Sequence, residues 1–219
     1  MKMQCRVTIV FSFGTMNEKL PHRRLILMID SGATYFDRRN AIRSSWLQYL
    51  SSPSSPIPEN LRKQIEVKFV VGWNAAVQDK ISLEATQFGD IIQVPVPDAY
   101  DTILRKMLHF LCIVSNNFTF DYFMHADDDS FVRLDLLLST LDKLPSQRVW
   151  WGYIWNLPGG NRWARPLRNP SHKSYMPVSQ YSSDEPYPPF ASGCGFVLSS
   201  DLACWLAHNA EQLPDYRYA

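Results

Sequence analysis

The sequence predicts an α/β fold: a mostly parallel central sheet with helices on both faces. Three observations predict it. Apolar runs of strand length alternate with segments of helical period along most of the chain. Several runs end in polar or glycine-containing turns, at Asp30-Ser31, Gly72-Trp73 and Asp127 to Asp129. The 219 residues are 46% hydrophobic, enough for one well-filled core.

Taken in order, Leu25 to Ile29 is a compact apolar run that follows Arg23-Arg24 and breaks at Asp30-Ser31-Gly32, as a buried strand ending in a turn would. From Arg39 to Leu50 the period becomes helical, with Ile42, Trp46 and Leu50 recurring at every fourth position. Ser51 to Pro58 is a Ser/Pro loop. Val67 to Val71 forms a second strand, closed by Gly72, and Asp79 to Gln87 a helix that leads to a short strand, Asp90 to Val94. Thr102 to Val114 is a strongly apolar helix, with Ile103, Met107, Leu111 and Val114 on one face. Tyr122 to Met124 begins a strand that runs into three aspartates. Leu134 to Leu144 is a helix and Val149 to Tyr153 a strand. Asn156 to Pro189 has no steady period, and loops that long inside a compact domain are usually functional or disordered. Gly195 to Leu198 resumes a strand, and Ser200 caps a last helix, Asp201 to Ala210. One domain is expected over 25–219, after an N-terminal segment, 1–24, to which no element is assigned.

Charge and composition narrow the partners. Lys plus Arg is 22 and Asp plus Glu 21, a net charge of +1, which excludes a nucleic-acid footprint spread over the surface. An anionic ligand therefore needs a local cluster. Cys5, Cys112, Cys194 and Cys204 show no zinc spacing. No stretch approaches the ~20 apolar residues of a membrane span, and Val7 to Phe13 is too short for a signal-peptide core. Asn117-Phe118-Thr119 is an N-glycosylation sequon, which matters only in a secretory compartment.

The chemistry concentrates in Asp127-Asp128-Asp129, set between apolar flanks that keep the triplet from lying wholly in solvent. Three adjacent carboxylates in a crevice raise one another's pKa unless a cation neutralises them. A hard divalent ion does so with one or two carboxylates plus the phosphates of a substrate. Residues two apart on an extended segment point the same way, so Asp127 and Asp129 are expected at one metal. A plain acidic turn before the next helix is the blander reading. A calcium EF-hand fails because Val132 stands where its glycine should be. A metal-dependent hydrolase would add His ligands, and only His125 is near.

Further segments fall in a recognisable order. Arg38-Arg39-Asn40-Ala41-Ile42-Arg43-Ser44-Ser45-Trp46, Phe69-Val70-Val71-Gly72, Phe88-Gly89-Asp90-Ile91-Ile92, Asp98-Ala99-Tyr100 with Lys106, His125 to Phe131, and Tyr187 to Ser199 resemble six motifs of glycosyltransferase family 31, the β-1,3-galactosyltransferase family. The resemblance runs from Arg38 to Tyr218, 181 of 219 positions. Within the family, Trp151-Gly152 with Pro158-Gly159-Gly160 and Arg162-Trp163 is similar to the members that extend the proteoglycan linker.

The resemblance implies a GT-A-like nucleotide-sugar-binding fold and an inverting transfer of galactose from UDP-galactose to a glycan hydroxyl in β-1,3 linkage. β-1,3-N-acetylglucosaminyl transfer, or a non-catalytic UDP-sugar-binding domain, are the alternatives. It implies Mn2+, or Mg2+ in its place, on Asp127 and Asp129, and donor contacts from Arg38, Arg43, Lys106, Asp127, Asp128, Gly193 and Gly195. Guanidinium forks suit phosphates, and glycines admit close approach of a sugar. The expected partners are a UDP-sugar and a glycan or glycoprotein acceptor. The expected residence is the Golgi lumen, on a type II anchor that belongs to the full-length protein and not to this chain.

This sequence departs from the family pattern in three places. Thr102-Ile103-Leu104 replaces Asn-Leu-Thr, Cys194 replaces a glycine, and the Glu-Asp motif carrying the expected catalytic base would follow Tyr218-Ala219, beyond the chain. Asp184-Glu185 is a poor substitute for that base. Arg39 is expected as a solvated charge at a helix start, Trp46 as core, and His109 as a hydrogen-bonded partner. Trp155, Trp163 and Tyr175 are expected in the long loop as aromatics for an acceptor groove.

Overall fold

A computed structural model describes residues 19–159 and 164–214. Its elements run β1 (His22–Asp30), α1 (Phe36–Ser44), α2 (Gln48–Ser51), α3 (Glu59–Arg62), β2 (Ile65–Trp73), α4 (Gln78–Phe88), β3 (Ile91–Pro97), α5 (Ile103–Asn117), β4 (Thr119–Asp127), α6 (Leu134–Leu141), β5 (Trp150–Trp155), β6 (Phe190–Ser199) and α7 (Ser200–Asn209). Cys5, Val7 to Phe13, Gly160, Arg162, Trp163, Tyr218 and Ala219 lie outside the described residues.

The strands form one sheet in the order β3-β2-β1-β4-β6-β5. β1, β2, β3 and β4 are mutually parallel, and β6 runs antiparallel to both β4 and β5. β5 therefore points the same way as β1 to β4. Alternation along β1 shows why its run is continuously apolar. Leu25, Leu27 and Ile29 join Ile42, Trp46 and the α6 leucines on one face. Ile26 and Met28 join α5 and α7 on the other. A strand covered on both faces has no polar side to display.

α5 departs from its expected single stripe: every residue from Lys106 to Val114 is buried, because the helix packs with both the sheet and α7. The helix expected over Arg39 to Leu50 starts at Phe36 and divides at Ser45. There the Ser44 and Ser45 hydroxyls donate back to the carbonyls of Asn40 and Ile42, at 2.8 Å and 3.4 Å, a competing pattern that helps end a helix. Ile42 and Trp46 are still core.

β1 and β4 begin earlier than expected because their first residues pair with each other, His22 against Thr119. β3 extends to Pro97, which an edge strand tolerates. β6 begins at Phe190 rather than Gly195, paired with Trp155. Ser199, not Ser200, stands at the N-cap of α7, its hydroxyl turned to Asp201 at 2.5 Å. Cys112, Cys194 and Cys204 form no disulfide with one another.

Candidate active site

The strand order reverses direction between β1 and β4: the chain steps outward from β1 to β2 and β3, then crosses back to β4 on the other side. Such a switch point opens a crevice at the carboxyl ends of the strands. Asp30 ends β1 and Asp127 ends β4, and the two are register partners. The acidic triplet thus continues a line begun by a fourth carboxylate on the neighbouring strand.

Several groups in the crevice are held by named partners. Asp128 is buried, with one carboxylate oxygen accepting from the Ser31 hydroxyl at 2.7 Å and the other from Arg38 Nη1 at 2.7 Å. The same Nη1 reaches Asp129 at 3.3 Å, while the guanidinium lies 4.6 Å from the Tyr35 ring centroid. Only Nη1 of Arg38 is engaged by hydrogen bonds among the described residues, and the side chain is 45% exposed, so the rest of the fork is open to solvent. Asp98 ties three strand ends together, accepting from Ala33 N at 2.7 Å and Gly72 N at 3.2 Å. A methyl group on Gly72 would stand 2.6 Å from the Asp98 Cα, so only glycine allows this approach.

The electrostatics are lopsided. Asp30, Asp98, Asp127, Asp128 and Asp129 face two cations, Arg38 and Lys106. Burial, then Asp30, Asp129 and Asp128, push the Asp127 carboxyl up to about 6, against the opposing effect of Lys106. Nearby His125 is buried, its Nδ1 3.1 Å from the Gly193 carbonyl and its ring stacked on Phe196 at 5.1 Å. Burial pushes its pKa down, keeping the ring neutral.

These positions correct several expectations. Lys106 is turned from solvent: it is buried, with its ammonium 2.8 Å from Asp30 and 3.8 Å from Asp98. Its helix is enclosed, so the amine meets carboxylates at the strand ends instead of solvent. Arg43 is likewise turned away, bonded to Asp90 and Glu84 between the Phe69 and Phe88 rings. Arg39, expected in solvent, has no exposed surface; it forks onto Glu84 and donates to the Ser31 hydroxyl and the Gly32 carbonyl. Its position on α1 faces the β1 turn. Both oxygens of Asp128 accept a hydrogen bond, one from Ser31 and one from Arg38, so this carboxylate anchors the Arg38 guanidinium. His109 is buried with Nδ1 lacking a partner among the described residues.

The geometry behind the metal expectation also changes. Asp127 to Ser130 is a turn closed by a 3.1 Å backbone bond, not an extended segment, so alternation does not align Asp127 with Asp129. No three His, Cys, Asp or Glu side chains converge as a ready cage among the described residues. The donor set nonetheless fits a divalent cation of the kind shared with substrate phosphates, which needs only one or two carboxylates. The gathering of Asp30, Asp127, Asp128 and Asp129 at two neighbouring strand ends supports this fit.

Gly193 and Gly195 lie within β6, beside the triplet: Gly195 pairs with Ala126, and an added Cβ at Gly193 would meet nothing within 4 Å. The Ser130 hydroxyl donates to the Cys194 carbonyl at 2.9 Å, fixing the acidic turn to this strand. Trp155 ends β5 instead of entering the long loop, and Tyr175 lies in the loop, half-buried, bridged to Leu167. Asp184 is exposed and paired with Arg168. Asp30 and Asp98 were not singled out as site residues, although the strand-end position of Asp30 and the turn at Asp98 were the available signals.

The galactosyltransferase family model matches residues 37–218. Hydroxyproline O-galactosyltransferase GALT5 of Arabidopsis thaliana is 30% identical over 190 residues, covering 86% of this chain and 26% of that protein. Beta-1,3-galactosyltransferase 6 of Mus musculus is 29% identical over 199 residues, 86% of this chain and 55% of its own. UDP-GlcNAc:betaGal beta-1,3-N-acetylglucosaminyltransferase 7 of Rattus norvegicus is 30% identical over 199 residues, 86% and 47% respectively. The chain spans from about a quarter to just over half of the length of these relatives.

Proposed function

The chain belongs to the galactosyltransferase family, and from that premise we propose that it binds UDP-galactose for inverting transfer to a glycan hydroxyl in β-1,3 linkage. The observation that carries the reading is the crowding of carboxylates at the β1/β4 switch point, where Asp127 is the register partner of Asp30 and its carboxyl is pushed up to about 6. A diphosphate brought there by a divalent cation, Mn2+ or Mg2+, would discharge that crowding.

In this reading Asp127 and Asp129 hold the cation. When bound, it stabilises the charge that develops on the departing diphosphate. Asp128 orients Arg38, whose remaining donors take a phosphate oxygen in a fork geometry. Lys106 acts one step back, by fixing Asp30 and Asp98 and so the turns after β1, β2 and β3. Gly193 and Gly195 leave room beside the triplet for the transferred sugar. The proton of the acceptor hydroxyl needs a base. None of the described acids beside the crevice is free for that work.

N-acetylglucosaminyl transfer is the second reading, favoured by the similarity to a relative named for it. Both donors present the same UDP unit, so the acidic turn does not separate them. We place the protein in the Golgi lumen on the strength of the family and the Asn117 sequon; no described helix is long and apolar enough to cross a membrane.

Calorimetric titration of UDP in Mn2+ and then in EDTA tests the donor site. Binding in Mn2+ that EDTA abolishes is expected, and Asp129→Ala should remove it while leaving the melting transition unchanged, because that side chain is 66% exposed. Equal UDP affinity in Mn2+ and EDTA, or in the variant and wild type, would overturn the site.

A further inference from the structure

β5 is an edge strand, and its outward residues are strongly aromatic: Trp151 is 41% exposed and Tyr153 54%. Trp151 pairs with Val197, so its side chain shares the sheet face of Val197 and Gly195. Ile154, of opposite parity, packs into the core on the other face, which leaves Tyr153 on the face of Trp151. The register slips between Gly152 and Ile154, setting Tyr153 against the segment of β6 that contains the two glycines. On the far side of that segment, Gly195 neighbours Ala126 and the acidic turn. β6 therefore lies between Tyr153 and Asp127, and two of its four residues there, Ser192 to Gly195, are glycines.

The described residues of the loop that leaves β5 are held in place by side-chain bonds. Asn156 is buried and sits at φ 59°, in the left-handed region, a conformation a non-glycine residue keeps only when its surroundings demand it. Its amide nitrogen donates to the carbonyls of Ala164 and Tyr187, at 3.0 Å and 2.7 Å, and its side-chain oxygen accepts from Ala164 N at 2.6 Å. One side chain thus closes the base of the 156–189 loop. Further out, Arg168 donates to the carbonyls of Met176, Tyr181 and Ser183. The loop springs from the carboxyl end of β5, the end of the sheet that carries the triplet.

Aromatic faces beside an open shelf, next to the proposed donor site, suit the apolar C–H face of a sugar ring whose hydroxyls stay in water. We propose that the acceptor sugar binds on this surface, with Trp151 and Tyr153 as stacking faces over the Gly193–Gly195 shelf and Asn156 as the residue that positions the loop against them. The assignment rests on the glycosyltransferase reading, and it places the acceptor across β6 from the donor.

Methyl β-galactoside is a suitable probe, followed by saturation-transfer NMR on the whole chain, with UDP calorimetry in Mn2+ run in parallel. Wild type should show transfer confined to one face of the ring. Trp151→Ala and Tyr153→Ala should each weaken galactoside binding about tenfold, the loss of one stacking contact, and leave UDP affinity within about twofold. Asn156→Gly keeps the left-handed backbone without strain and removes the three bonds, so it should weaken the galactoside and spare UDP. Galactoside binding unchanged in the Trp151 and Tyr153 variants, or absent from a wild type that binds UDP, would overturn the subsite. Unchanged binding in Asn156→Gly would overturn the positioning role. Galactoside binding that depends on Trp151, in a chain without UDP affinity, would sustain the subsite and sink the donor reading.

Discussion

At Asp127, ionisation is opposed by burial and by three neighbouring carboxyl groups, and eased only by Lys106. Its folded pKa of about 6 lies above the ordinary 3.8, so the folded state binds this proton more tightly than the unfolded chain does. Without a divalent cation, stability should be greatest below pH 3.8 as far as this group is concerned, and decline as pH rises towards 6. Asp127→Asn removes the charge. The variant should melt higher than wild type at pH 7.5 in EDTA and match it near pH 4, and equal melting at pH 7.5 would contradict the crowding. Among single residues, the triplet was legible in the sequence because apolar flanks around three acids are conspicuous. The burial of Arg39 and the capture of Lys106 were not, since a charge carries no mark of the distant partner that lets it be buried.

Between elements, the strongest polar link joins α1 to α4. Burial would push the Glu84 carboxyl up, but its bonds to Arg39 and Arg43 outweigh that and hold it below the usual carboxylate range. Arg43 passes the link on to Asp90 at the head of β3. Glu84→Ala strands the fully buried Arg39 guanidinium and should cost about 3–5 kcal/mol in urea denaturation. A loss under 1 kcal/mol would show that water reaches Arg39 readily. Hydrophobic period found most of the helices and strands near their true places, because burial on one stripe or one face leaves a repeating signature. It failed at Ser45, where local hydroxyl bonds interrupt an unbroken apolar period. It failed also over 156–189, whose order comes from side-chain bonds to carbonyls and leaves no period to read.

For the whole molecule, the two ends of the sheet have different fates. The carboxyl ends of β1 and β4 carry the acids, while Asn117, the last residue of α5, precedes the opposite end of β4. One N–H of its amide donates to the Ile113 carbonyl at 2.7 Å, and a primary amide has a second that a sugar can replace. Secretory expression in eukaryotic cells should therefore yield a chain glycosylated at Asn117. Peptide-N-glycosidase should shift it on a gel and convert that amide to a carboxylate, detectable by mass spectrometry. A secreted, folded chain with an unmodified residue there would count against the luminal assignment.

By itself the sequence determined the α/β class, the acidic triplet at a strand end and, through six motifs in order, the family. These follow from local composition and spacing. Only the tertiary structure decided that Asp30 stands beside Asp127, that Asp98 knots the ends of three strands, and that Ser31 meets an Asp128 97 positions away. It also decided that β6 separates the outer aromatics from the acids. Strand order and register are fixed by pairing between segments far apart in the chain, and a periodic pattern states only that a residue is covered, not what covers it.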